Sequence, residues 1–211
     1  MATLSLRLVP PHRTALDSNP DPARRIGDRG RSPHEYPGAA RDTVGGVRLR
    51  TVSDSIDVAA SPDEVYAALA DPTRMAQWSP ENTGAVVADP KRGGTYVGMT
   101  FVGTNRRGGA RWSTRCVVTA AEPGRRFAFA VRAIGVGRPI LPTPIASWEY
   151  RFEPVDGGTR VTETWTDDRP WPDALAAAFD KVATRGSLFA DFQRRNIART
   201  LASLQRDLGA P

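Results

Sequence analysis

Beyond residue 46 this 211-residue chain carries no histidine, the commonest general base, and one cysteine. Both histidines, His12 and His34, come before that point, and Cys116 is the single cysteine. A disulfide within the chain is therefore impossible, and the later residues cannot assemble a Cys/His zinc site, a Ser-His-Asp triad or a Cys-His pair. No metal and no cofactor are expected. What remains is carboxyl, hydroxyl and amide chemistry, and Glu163, between Val161 and Trp165, is its best-placed carboxyl. If strand alternation turns Glu163 inward, it must be paired, hydrogen-bonded or protonated. A carboxyl with a raised pKa is the general acid or base that a dehydration or an aldol cyclisation needs, with Asn105, Thr114 or Tyr150 orienting a ligand carbonyl. The alternative is an ion pair with one of the chain's many arginines, or an outward-facing carboxylate.

The same alternation predicts the company these groups keep. Over 95–105 the inward residues are Val97, Met99, Phe101, Gly103 and Asn105; from 110 they are Trp112, Thr114, Cys116 and Val118. Phe127, Phe129 and Val131 follow, then Trp148, Tyr150 and Phe152, and finally Val161, Glu163 and Trp165. Such a face is either plain core or the wall of a cavity. Three indoles on it, each with an N–H seeking a partner, suit a cavity that stacks on a flat ligand. Cys116, without an adjacent base, reads as a small buried filler. Asn105-Arg106-Arg107 at a strand end could clamp a carboxylate or phosphate, or simply form a solvated hairpin.

These side chains need a sheet to hold them. A first strand is expected over 52–58, followed by a capping box, Ser61 with Glu64, and Pro62 at the first helical position. Asp71-Pro72 starts a second short helix, which carries Met75 and Trp78. Strands are expected at about 84–89, 95–105, 110–122, 125–136, 145–155 and 159–167, separated by glycine and proline turns, so that neighbours run antiparallel. Residues 173–183 and 187–208 read as helices broken near Gly186, with Ser187 as the second cap. Phe189, Phe192, Ile197, Leu201, Leu204 and Leu208 make one apolar stripe on the longer helix. Trp78, Phe189 and Phe192 thus complete the expected ligand-facing set. Ligand entry is expected between the long helix and the loops that hold Trp78 and the proline-rich 138–144 segment.

Composition limits the partners. The net charge of +6 comes from 29 cations, nearly all arginine, dispersed among 23 acids. Arg106, Arg107 and Arg111 cluster, as do Arg194, Arg195 and Arg199, but no cation stripe is interleaved with stacking aromatics, and no nucleic-acid partner is expected. No apolar run reaches the roughly 20 residues of a membrane-spanning helix, and no secretory signal is evident, so the expected address is cytoplasmic. Residues 1–46, rich in proline and arginine, read as a disordered extension, and residues 47–211 as one domain. Monomer and homodimer both stay open.

Five stretches carry a family resemblance. They are Ile56 to Tyr66 with its Ser61-Pro62-Asp63-Glu64 start, Asp71-Pro72 through Trp78-Ser79-Pro80-Glu81, Gly103-Thr104-Asn105-Arg106, Glu122-Pro123-Gly124-Arg125-Arg126-Phe127, and Gly157-Gly158-Thr159 through Glu163. With these the chain resembles, over about 50–208, the START-like (SRPBCC) superfamily, particularly actinobacterial members labelled polyketide cyclase/dehydrase. The resemblance implies an α+β helix-grip fold: a curved antiparallel sheet of about seven strands around a long C-terminal helix, with two short helices after the first strand. It also implies a small hydrophobic or aromatic ligand, lipid- or polyketide-like. Three functions are compatible with it: a carrier or sensor, a cofactor-free cyclase, aromatase or dehydratase, and an interaction module with a vestigial cavity.

Overall fold

A computed structural model describes residues 47–89 and 93–209. The extension expected over 1–46 lies outside the described residues. Strand β1 (Thr51–Val58) leads into α1 (Pro62–Leu69), whose start is fixed as the residue types require. Ser61 Oγ accepts from the Glu64 amide at 3.3 Å, and the Ser61 amide donates back to Glu64 Oε2 at 2.9 Å. The next segment, Pro72–Gln77, is a 3₁₀ helix rather than an α-helix. Six residues bounded by Asp71-Pro72 and Ser79-Pro80 leave no room for a second α-helical turn.

Seven further strands follow: β2 (Asn82–Val87), β3 (Thr100–Arg107), β4 (Ala110–Glu122), β5 (Arg126–Gly135), the short β6 (Leu141–Pro142), β7 (Ala146–Val155) and β8 (Gly158–Asp167). They form one antiparallel sheet in the order β1-β8-β7-β5-β4-β3-β2, with β6 folded back on β5. Hairpin tips at Gly108, Gly124 and Gly157 have φ of 56°, 63° and 81°, left-handed values open to glycine without strain. Helices α2 (Asp173–Thr184) and α3 (Phe189–Leu208) close the chain. This is the helix-grip α+β arrangement, with α3 lying on one face of the curved sheet.

Two expectations need correction. Strand β3 begins at Thr100, not at 95, because 96–99 form a turn in which the Met99 amide bonds the Tyr96 carbonyl and Gly98 takes a φ of 89°. Strand parity therefore does not reach Val97, which is 63% exposed. Helix α3 begins two residues later than 187, and Ser187 does not cap it. The Ser187 amide donates to Thr184 Oγ1, while the Phe189 amide is received by the Asp180 carboxylate at 2.9 Å.

That carboxylate belongs to a buried ion cluster. Arg169 donates from Nη1 to Asp180 at 2.7 Å and from Nη2 to Asp167 at 2.6 Å, and Arg48 approaches Asp167 at 3.5 Å. Arg169 is 2% exposed, and its guanidinium lies over the Phe189 ring at 4.8 Å. One cation thus ties the end of β8, helix α2 and the start of α3 together.

Antiparallel order places the start of β1, β4 and β7 and the end of β3, β5 and β8 at one end of the sheet. Helix α2 crosses that end. Asp173, its first residue, pairs with Arg48 and Arg50 beside β1, and the Ala183 carbonyl, near its last, accepts from Arg107 at the tip of β3.

Candidate functional site

A cavity of about 490 Å³ lies between the sheet, α3, α2 and the 3₁₀ helix. All five tryptophans of the chain line it: Trp78, Trp112, Trp148, Trp165 and Trp171. Trp148 and Trp165 are directly opposed across β7 and β8, and Trp148 stacks on Phe129 with ring centres 5.5 Å apart and planes 9° from parallel. Phe101 meets Phe129 edge-on at 5.5 Å. The result is a broad aromatic wall suited to the face of a flat molecule.

Glu163 stands deeper in the cavity, next along β8 from Trp165, and is 3% exposed. Its cross-strand neighbour Tyr150 donates a hydroxyl hydrogen bond to Oε1 at 3.1 Å, while Oε2 has no hydrogen-bond partner among the described residues. Among the described residues no arginine reaches this carboxyl. Burial pushes its pKa up to about 8, opposed by the Tyr150 hydrogen bond and reinforced by the Asp54 charge across β1. Glu163 is therefore mostly a neutral acid at pH 7. Burial also raises the Tyr150 phenol well above its usual value, so Tyr150 remains a donor.

A second polar group sits at the other side of the sheet. Arg107 Nε and Nη2 donate to the two oxygens of Glu81 at 2.5 and 3.1 Å, and Asn196 Nδ2 adds a third bond to Glu81 Oε2 at 3.1 Å. The Arg107 guanidinium also lies 4.1 Å from the Phe192 ring centre. Thus Arg107 is neither a free anion clamp nor a solvated hairpin residue; it is a paired, stacked part of the wall. Asn105 Nδ2 donates to Thr114 Oγ1 at 3.3 Å, and Cys116 Sγ lies 3.8 Å from the same oxygen. Burial pushes the Cys116 thiol up to about 12, far from any nucleophilic role near neutral pH.

Of the residues expected to face a ligand, Trp78, Phe101, Asn105, Trp112, Thr114, Cys116, Phe129, Trp148, Tyr150, Glu163, Trp165 and Phe189 line the cavity. Three do not. Met99 is buried in the core from a turn before β3, so alternation does not aim it. Phe127 is fully buried, stacked at 6.3 Å on Tyr150, with its ring in the core rather than at the cavity wall. Phe192 is rotated off the ligand face of α3, because the lining positions there are Phe189, Gln193, Asn196 and Thr200, spaced by four, three and four residues.

The sequence reading missed that polar row on α3, and also Glu81 and Arg169. A polar stripe at helical spacing beside the apolar one was a usable signal for the first. Nothing local marks Arg169, whose placement depends on contacts far along the chain. The mouth is marked by lining residues that remain exposed, among them Leu141 and Phe179. Pro80, on the loop after Trp78, and Ala110 also line the cavity and are exposed, so openings lie beside both loops expected at the entry, and Phe179 adds α2 to the rim. Among the described residues no cluster of three or more His, Cys, Asp or Glu could hold a metal ion, and no helix is long and apolar enough to cross a membrane.

The model of the family described as "Polyketide cyclase / dehydrase and lipid transport" matches residues 50–209, and the chain belongs to this family. Among solved structures, a START superfamily protein from Mycobacterium smegmatis is similar at 12% identity and a TM-score of 0.56, over 76% of this chain and 97% of that one. The di-domain ARO/CYC protein StfQ of the steffimycin biosynthetic pathway is similar at 16% identity and a TM-score of 0.53, over 75% of this chain and 50% of that one. The Polyketide_cyc-like protein Cgl2372 from Corynebacterium glutamicum shares 30% identity over 75% of this chain and 90% of that one, with a TM-score of 0.45. Among curated proteins none matches the sequence.

Proposed function

We propose that this member of the polyketide cyclase / dehydrase and lipid transport family binds a small, flat, hydrophobic or aromatic molecule, lipid- or polyketide-like, in the cavity between the sheet and α3. The domain doing so is the part of the chain from residue 47 onward. The observation that carries the reading is the convergence of every tryptophan of the chain on one cavity of about 490 Å³, a size ordinary for small-molecule sites. A core built only for stability would close such a space, since unfilled volume lowers stability.

The polar groups give the ligand a direction. A neutral Glu163 has a proton to donate and no charge to hold a cation, so the partner that suits it in an apolar cavity is a ketone, ester or hydroxyl oxygen. Nile red, a neutral flat dye with one ring carbonyl, serves as a probe. It should bind one to one and saturably, with quenching of tryptophan emission. Native mass spectrometry of the protein purified from its source should also find a co-purified small molecule. A chain that neither retains a small molecule nor takes up the dye refutes the reading.

A second reading is favoured by one specific feature, the unpartnered Oε2 of an acid whose pKa lies near the working pH. In a β-hydroxy ketone, Glu163 would give its proton to the departing hydroxyl, and the carboxylate so formed would take up the proton from Cα, giving an enone and water and restoring the neutral acid, while Tyr150 holds the carboxyl in place. Glu163→Gln should then abolish dehydration of such a ketone and leave Nile red affinity intact. An unchanged rate removes Glu163 from the chemistry.

A further inference from the structure

Helix α2 is built inside out. Its buried residues are Ala176 and Asp180, whereas Leu175, Phe179 and Val182, spaced by four and three residues, are 57%, 45% and 84% exposed. Those spacings make one outward apolar stripe. Across the cavity mouth, the loop from β5 to β6 does the same, with Val136 89%, Ile140 80% and Leu141 60% exposed. Phe179 and Leu141 also line the cavity and are exposed, so each apolar edge borders it where it opens to the outside.

Exposed cations without ion-pair partners lie on both of these edges, while Asp173 at the start of α2 is paired with Arg48 and Arg50. Arg138 on the loop, and Lys181 and Arg185 on and just beyond α2, are exposed, and none of the three forms an ion pair among the described residues. Neither 136–145 nor 174–188 carries an exposed acid, since Asp180 is buried against Arg169. Arg185 holds a φ of 60°, a left-handed conformation uncommon outside glycine, which turns the chain sharply at the end of the helix.

We propose that this rim, formed by the outer face of α2 and the 136–141 loop, docks on an anionic lipid bilayer, with the cavity mouth facing the lipid. Apolar side chains exposed by four fifths or more protrude rather than form a groove. A protein partner would need a matching pocket for each, while a bilayer accepts protruding apolar groups in any arrangement. The cations add attraction to lipid phosphate, and the absence of exposed acids removes the repulsion. An apolar ligand leaving between Phe179 and Leu141 then passes into hydrocarbon without crossing water. The inference does not depend on which molecule the cavity holds.

Co-sedimentation of the full chain with vesicles of equal parts phosphatidylcholine and phosphatidylglycerol tests it. The chain should pellet with these vesicles and bind roughly 100-fold more weakly to phosphatidylcholine alone, the loss expected when three cations no longer face lipid charge. The doubly substituted chain Ile140→Asp, Val182→Asp, which alters no cavity-lining residue, should stay in the supernatant and bind Nile red like the unaltered chain in the absence of vesicles. Three results overturn the proposal. They are a chain that never pellets, equal pelleting of the unaltered and doubly substituted chains, and a stable dimer that the same two substitutions convert to monomer, which would assign the rim to a second copy.

Discussion

Glu163 and Asp167 sit four residues apart on β8, share a side of the strand by its period of two, and are both 3% exposed. Their surroundings are opposite. Asp167 receives two short hydrogen bonds from Arg169, with Arg48 nearby, and these outweigh burial and hold its pKa below the usual carboxylate value. Glu163 receives one phenol and no cation, and burial wins. Among the described residues no cation pairs with Glu163. Burial alone therefore does not set the charge of a carboxyl; the presence or absence of a counter-charge does.

The comparison can be broken most forcefully at its structural end. Arg169→Leu leaves buried Asp180 without its cation and Asp167 with only the more distant Arg48, and should lower stability by about 3–5 kcal/mol in urea unfolding. A loss below about 1 kcal/mol would mean that the cluster is solvated and the contrast false.

The pH dependence of stability sharpens it next, because the two carboxylates should act in opposite directions. Glu163 has a folded pKa above its unfolded one, so the folded state holds the extra proton. Its contribution is complete below about pH 4.5 and is lost as pH rises toward about 8, at up to about 1.4 kcal/mol per pH unit. Glu163→Gln should therefore flatten the decline of the unaltered chain across that window. Asp167 has a depressed folded pKa, so its contribution is present at neutral pH and lost as pH falls through the folded value. The deficit of Asp167→Asn should accordingly be greatest near neutrality and shrink in acid. Parallel pH profiles for the two variants would contradict the assignment.

Smaller effects follow at the wall. Trp148→Ala removes the ring stacked on Phe129 and should weaken Nile red binding about tenfold while leaving the far-ultraviolet spectrum unchanged. The smallest change is expected at Cys116, where iodoacetamide should leave the folded chain unlabelled near pH 8 and react promptly in urea.

The Glu163 half of this contrast was legible in the sequence. The S-P-D-E start, the paired-glycine hairpins and the alternation through 145–167 determine which side of the sheet carries Trp148, Tyr150, Glu163 and Trp165. Alternation is a local property, and it fails where the backbone leaves the strand: at Val97 and Met99, which precede β3, and at the bulge near Arg132, beyond which Ile134 becomes the lining residue of β5. Helix α3 was legible as an amphipathic helix, but the angular offset between Phe189 and Phe192 depends on how it seats against the sheet. The Arg169 cluster was not legible at all. Its members span 48 to 180 in sequence, and only the closed fold brings them together.

The claim on which the rest depends is that the tryptophan-lined cavity is the ligand site. Its most direct test is the indole N–H NMR spectrum of tryptophan-labelled protein during titration with Nile red. The resonances of Trp148 and Trp165 should move most and saturate at one dye per chain, and Trp78, whose indole donates to Asp207 at 3.1 Å, should move least. Five indole resonances that stay fixed while the dye binds would place the ligand elsewhere and contradict the account.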